Sequence, residues 1–174
     1  ADVLFGRYNP SGRLPITFYK NDEQLPDFEN YDMEGRTYRY LRSQPLFVFG
    51  HGLSYSQFSY GKIKADKKKM EMGKSIELTI SVTNTSIVDG SETVQLYVKK
   101  SDDKSGPNRE LRAVKNVFIK AGKTEQVRFT IGYKELKWWN EKLNEMTVQS
   151  GEYRIEIGKS SADKDLKSIV LKVL

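Results

Sequence analysis

The sequence predicts an all-β protein, an antiparallel β-sandwich preceded by an irregular N-terminal arm. Three observations carry that expectation. From Ser75 onward apolar and polar residues alternate at period two. Clusters of turn-forming residues interrupt the alternation at short intervals. The first 56 residues follow neither pattern and are instead rich in aromatics and proline.

The strands follow in order. Ile76, Leu78, Ile80 and Val82 alternate with Glu77, Thr79, Ser81 and Thr83, placing one face in a core and the other in water. Val94, Leu96 and Val98 alternate with Thr93, Gln95 and Tyr97 in the same way. Further runs are Val127-Phe129-Ile131, Tyr153-Ile155-Ile157 and Ile169-Leu171-Val173. The turns between them are marked by Gly73, Asp89-Gly90, Ser105-Gly-Pro107, Ala121-Gly-Lys123 and Ser150-Gly151. Asn84 to Gly90 reads as a polar, hairpin-like connection. Tyr133 to Asn140 reads as a helical turn crossing between sheets, and Met146 to Val148 as a brief strand. Short alternating strands at this spacing pack as two sheets about 10 Å apart. The expected core is Ile76, Leu78, Ile80, Val82, Val94, Leu96, Val98, Phe129, Ile155 and Ile157.

The arm is different in kind. Of the 20 aromatic residues, 13 lie in the first 60 positions, with four of the five prolines. Each buried aromatic side chain contributes roughly 1.5–3 kcal/mol, so such a loop is built to lie against another surface. Val3 to Phe5 and Leu14 to Phe18 read as short extended pieces, with Pro15 favouring an edge. Gln24 to Gln44 reads mostly as loop, too long for the interior of one compact domain and suited to a connector.

Composition narrows the function. The apolar fraction is 37% and no run approaches the ~20 apolar residues of a membrane span. The opening Ala1-Asp-Val has neither the charged region nor the apolar region of a secretory leader, so none is visible within the chain. Without cysteine there is no disulfide, zinc ribbon or thiol nucleophile. The net charge of +6 is interleaved with acids, as in Lys67-Lys-Lys-Met-Glu71, so a solvated surface is expected and neither nucleic acid nor membrane is a partner. His51 is the only histidine, with no second His, Cys or carboxylate at ligand spacing, so no metal role is expected for it; it is expected to pack and donate one hydrogen bond. Gly50 and Gly52 beside it supply positive φ or close backbone approach. No cofactor is expected.

Several motifs of the arm and the sandwich carry a resemblance. Asn9-Pro-Ser-Gly-Arg-Leu-Pro15, Gly35-Arg-Thr-Tyr-Arg39 and Phe47-Val-Phe-Gly-His-Gly-Leu-Ser-Tyr55 are followed in order by Glu92 to Val98, Val117 to Gly122 and Ser150 to Ser161. In sequence and order they resemble the C-terminal part of glycoside hydrolase family 3, the β-glucosidases and β-xylosidases. The resemblance implies that residues 1–56 are the last strand of an α/β sandwich domain and an interdomain linker. It implies that residues 57–174 are a fibronectin type III-like domain, an immunoglobulin-like architecture. It further implies a parent acting on β-linked oligosaccharides in the periplasm or outside the cell, through two carboxylates about 5–5.5 Å apart. In the family both carboxylates lie upstream of the matched segments, so no catalytic residue is expected in this chain and it is expected to be inactive alone.

Arg36, Tyr38 and Arg39 are the remaining polar candidates. Read as bordering a substrate cleft, one of them stacks on or hydrogen-bonds to sugar; read structurally, the arginines clamp carboxylates or carbonyls while the tyrosine packs. An extended segment would put Tyr38 and Tyr40 on one side and Arg39 on the other. Trp138 and Trp139 could form a sugar platform, but neighbours on a strand point opposite ways, so one buried and one partly exposed ring is expected. The chain therefore reads as a non-catalytic support whose partners are missing catalytic domains of the same polypeptide. The alternative is an autonomous carbohydrate-binding module. Torn from its neighbours, the arm is expected to pair chains through residues 1–56.

Overall fold

The computed structural model describes residues 1–174. Eleven strands form two packed sheets and one small hairpin. The first sheet is built around β4 (Ile76–Asn84), which pairs on one side with β7 (Thr124–Ile131). On its other side it pairs with β1 (Phe58–Tyr60) and β2 (Lys64–Ala65). The second sheet runs β3 (Lys69–Met70), β11 (Leu166–Val173), β10 (Gly151–Gly158), β5 (Gly90–Lys100) and β6 (Glu110–Ile119). All pairings are antiparallel except β3 with β11. A helical turn, α2 (Tyr133–Leu136), leads into the hairpin of β8 (Trp138–Asn140) and β9 (Glu145–Thr147).

The period-two pattern sets the core. All ten expected positions are buried, within a cluster that also takes in Ile119, Val127, Ile131, Leu136, Trp138, Tyr153, Leu171 and Val173. The two inner faces interdigitate as alternation along each strand requires.

Local structure departs from the sequence reading at three places. Asn84 to Gly90 is not a hairpin, because β4 and β5 belong to different sheets and the segment arches between them. The fully buried Asn84 makes that arch: its amide donates to the carbonyls of Val88 and Ile119 at 2.8 and 3.0 Å, and its Oδ1 accepts the Ser86 N–H. Val3 to Phe5 is a turn, with the Phe5 N–H on the Ala1 carbonyl at 3.0 Å, so it presents no open strand edge. Residues 37–40 form one helical turn, α1 (Thr37–Tyr40), entered through Thr37 at φ 53°. A β-branched residue in that left-handed region is held there by its neighbours; the Thr37 N–H donates to the Tyr19 hydroxyl at 3.0 Å.

The arm folds back across the sandwich. Along β5, Thr93, Gln95 and Tyr97 alternate out of the core, yet Gln95 and Tyr97 are buried. The arm is what covers them. Alternation alone would have left this face to water, and a strand buried on both faces needs a second layer.

Candidate functional site

The candidate site is the seam between arm and sandwich, and it is built from three groups of contacts. The first is ionic. Arg13, from the Asn9 to Pro15 motif, places Nη2 2.5 Å from Glu92 Oε2, and the Tyr60 hydroxyl donates to Glu92 Oε1 at 2.7 Å. Glu92 points inward at the end of the core, fully buried. Burial pushes its carboxyl above the usual glutamate range, outweighing the opposing pull of Arg13 and Tyr60. Burial, with the Glu92 charge added, also pushes the Tyr60 phenol far up, so it stays a hydrogen-bond donor.

The second group is polar backbone. Thr93 Oγ1 donates to the Ser11 carbonyl at 2.9 Å, and Gln95 Nε2 to those of Gly50 and Lys159 at 3.2 and 2.5 Å. The Tyr97 hydroxyl donates to Gln95 Oε1 at 2.6 Å, which fixes that amide. Gly50 sits at φ +80°, and a Cβ there would lie 2.1 Å from Gln95 Oε1. Gly52 is needed for space, since a Cβ would meet the Gly12 carbonyl at 2.3 Å. Between them, His51 stacks on Phe47 at 5.0 Å and its carbonyl accepts the Leu14 N–H at 2.8 Å. The expected donation from the imidazole is absent; the backbone of His51 does the bonding. Asn9 joins in through Nδ2 to Ser56 Oγ and the Asp89 carbonyl, both at 2.8 Å.

The third group is aromatic and holds the residues singled out from the sequence. Tyr38 stacks on Phe49 with centroids 4.2 Å apart and meets Tyr97 edge-on at 6.0 Å. Its hydroxyl accepts the Leu111 N–H at 2.9 Å. Arg39 pairs with Glu110 at 3.5 Å, and its carbonyl accepts the Asn108 N–H at 2.5 Å. Arg36 turns the other way, its guanidinium donating to the carbonyls of Asp32 and Asn30. The helical turn, not an extended strand, separates Tyr38 from its neighbours and drives it into the seam. Tyr38 and Arg39 thus grip β6, while Arg36 staples its own loop.

Beside this group Glu156 on β10 lies opposite Tyr97 in register and pairs with Arg109 at 3.3 Å. Burial raises its carboxyl, against the charge of Arg109. The sequence alone singles out neither Glu92 nor Glu156, because each sits in a strand with several other polar residues, GSETVQLYVKK and GEYRIEIG, and only its burial sets it apart. Trp138 is buried, with Nε1 donating to Asp103 Oδ2 at 2.5 Å and the Arg112 guanidinium 5.5 Å from its ring centroid. Trp139 is 49% exposed, so the two rings form no common platform.

These features define a fibronectin type III-like sandwich bolted to a preceding segment, and comparison with known proteins agrees. Residues 92–161 match the fibronectin type III-like domain, and residues 1–55 match the glycosyl hydrolase family 3 C-terminal domain. The two matches follow one another as in the C-terminal part of glycoside hydrolase family 3 proteins, and the relatives that match are longer β-xylosidases and β-glucosidases. It is 47% identical over 171 residues to the xylan 1,4-β-xylosidase of Xylanibacter ruminicola, covering 98% of the chain and 20% of that protein. It is 32% identical to a periplasmic β-glucosidase of Salmonella typhimurium, covering 93% of the chain and 23% of that protein. A β-glucosidase structure from Erythrobacter marinus superposes over 100% of the chain and 23% of its own length, with a TM-score of 0.84 at 32% identity. The chain thus spans about a fifth to a quarter of the relatives it matches.

Proposed function

We propose that this chain supports the catalytic domains of a retaining β-glycosidase, a β-xylosidase or β-glucosidase of carbohydrate catabolism, located in the periplasm or secreted. The observation that carries this reading is the latch of Arg13 on Glu92. It ties the arm's Asn9 to Pro15 motif to the sandwich core, so a body continuous with the arm is fixed relative to residues 57–174. In enzymes a misplacement of about 1 Å can cost ~100-fold in rate, which gives a silent support its purpose. We divide the chain at residue 56, with residues 1–56 as the end of the preceding domain and linker. Arg36, Tyr38 and Arg39 then border the substrate cleft of the longer polypeptide as its framework, with Arg39 the most exposed of the three.

The outward side of the arm supports the same reading. Leu4, Phe5, Phe28 and Tyr31 are each at least 80% exposed, an apolar surface suited to the domains upstream. Left uncovered, it drives self-association of the isolated chain. The rival reading, a carbohydrate-binding module resting on paired tryptophans, is disfavoured by the burial of Trp138.

The test is an assay of the purified chain on aryl β-xyloside and aryl β-glucoside. No release above the uncatalysed rate is expected, because both carboxylates of the retaining mechanism lie upstream. Turnover abolished by a single Asp or Glu substitution in this chain would overturn the proposal.

A further inference from the structure

The arm and the outer face of β5 and β10 enclose between them a cleft of about 750 Å³, within the range of small-molecule sites. Lys99 and Arg154 stand directly opposite one another across these strands. Like charges in that relation repel. Neither residue is within ion-pair distance of a carboxylate, and nor is Lys164 on the same cleft, although both strand cations act at longer range on Glu156, which lines the cleft with Asp163. Arg109, by contrast, is fully occupied by Glu156, Asp163 and the Ser161 carbonyl.

The rest of the lining has a different character. The stacked pair of Tyr38 and Phe49 forms an aromatic wall, and Ser43 and Gln44 supply a hydroxyl and an amide. An inorganic anion would engage the cations and leave the wall and amide idle. A neutral sugar would use the wall and amide and leave the three cations without a contacting anion. A sugar that carries a carboxylate uses both. The geometry points to a binding site for such a ligand, a hexuronic acid unit, its carboxylate between Lys99, Arg154 and Lys164 and its carbon-bound face toward Tyr38 and Phe49. This goes beyond the supporting role and does not depend on it, since the cleft lies wholly within this chain.

Titration calorimetry on the intact chain at low ionic strength tests the site, with sodium D-glucuronate as probe and D-glucose and sodium acetate as comparators. Saturable binding of glucuronate in the ~millimolar range is expected, with each comparator weaker by about tenfold or more. The double variant Lys99→Gln/Arg154→Gln should weaken glucuronate by about tenfold, and Trp139→Ala should leave it unchanged. Both cations are at least partly exposed, so their loss leaves no buried charge; Lys164→Gln gives an independent reading of the same site. Acetate binding as tightly as glucuronate would reduce the cleft to a simple anion patch. Glucose binding equally well, no saturation, or affinity unmoved by either cation variant would each overturn the proposal.

Discussion

Arg13 reaches from the arm to Glu92 at the end of the core, 2.5 Å away, and the carboxylate it meets is sealed from solvent. Removing one partner of a buried ion pair leaves the other uncompensated, at a cost of about 3–5 kcal/mol. Arg13→Ala is therefore expected to release the arm. Limited proteolysis should cut residues 1–56 faster in the variant, while the sandwich stays resistant. Unchanged cleavage would mean that the latch does not hold the arm.

The aromatic contacts make a separable contribution. Tyr38→Phe keeps the stack on Phe49 and removes only the acceptor for the Leu111 N–H. A cost of about 1–3 kcal/mol is expected, and about 3–5 kcal/mol for Tyr38→Ala, which also loses the ring. Denaturant unfolding of the two variants measures both. Equal losses would assign the whole effect to the hydroxyl.

In the core, Leu96 is fully buried between the sheets. Leu96→Ala should cost roughly 2–5 kcal/mol in chemical denaturation, and a loss below about 0.5 kcal/mol would place it at the surface.

The inward register was legible because a strand with one buried face writes that face as every second residue, as Ile76 to Val82 does. Trp138 and Trp139 were legible for the same reason. What lies on the outside of β5 was not. Thr93, Gln95 and Tyr97 read as a solvent face, and nothing local reveals that segments 45 to 82 residues earlier cover them. The arch at Asn84 is not legible in the sequence, because Asp89-Gly90 is equally good turn chemistry whether the chain stays in one sheet or changes sheets. Tyr38 was picked out, but its partners Phe49 and Tyr97 come from tertiary packing, which also imposes the left-handed Thr37.

The buried carboxyls set a pH dependence. Burial raises both Glu92 and Glu156 above their unfolded value of about 4.3. The native state then binds more protons than the unfolded chain between that value and the raised ones. Their contribution to stability therefore increases as pH falls through the window and levels off below it. Glu156→Gln removes one such group. In urea melts, the stability of the parent chain relative to this variant should be greater at about pH 5 than at pH 7. A difference that shrinks on acidification would contradict the assignment.

Hydrogen exchange on the intact chain reads the docking of the arm most directly. The Ser161 amide, bonded to the Phe49 carbonyl at 3.0 Å, and the Leu111 amide, bonded to the Tyr38 hydroxyl at 2.9 Å, cross the seam. They are expected to be protected in step with β5, while residues 27–33 exchange quickly. Seam amides that exchange as fast as residues 27–33, beneath a protected sandwich, would show the arm undocked and the support without a grip.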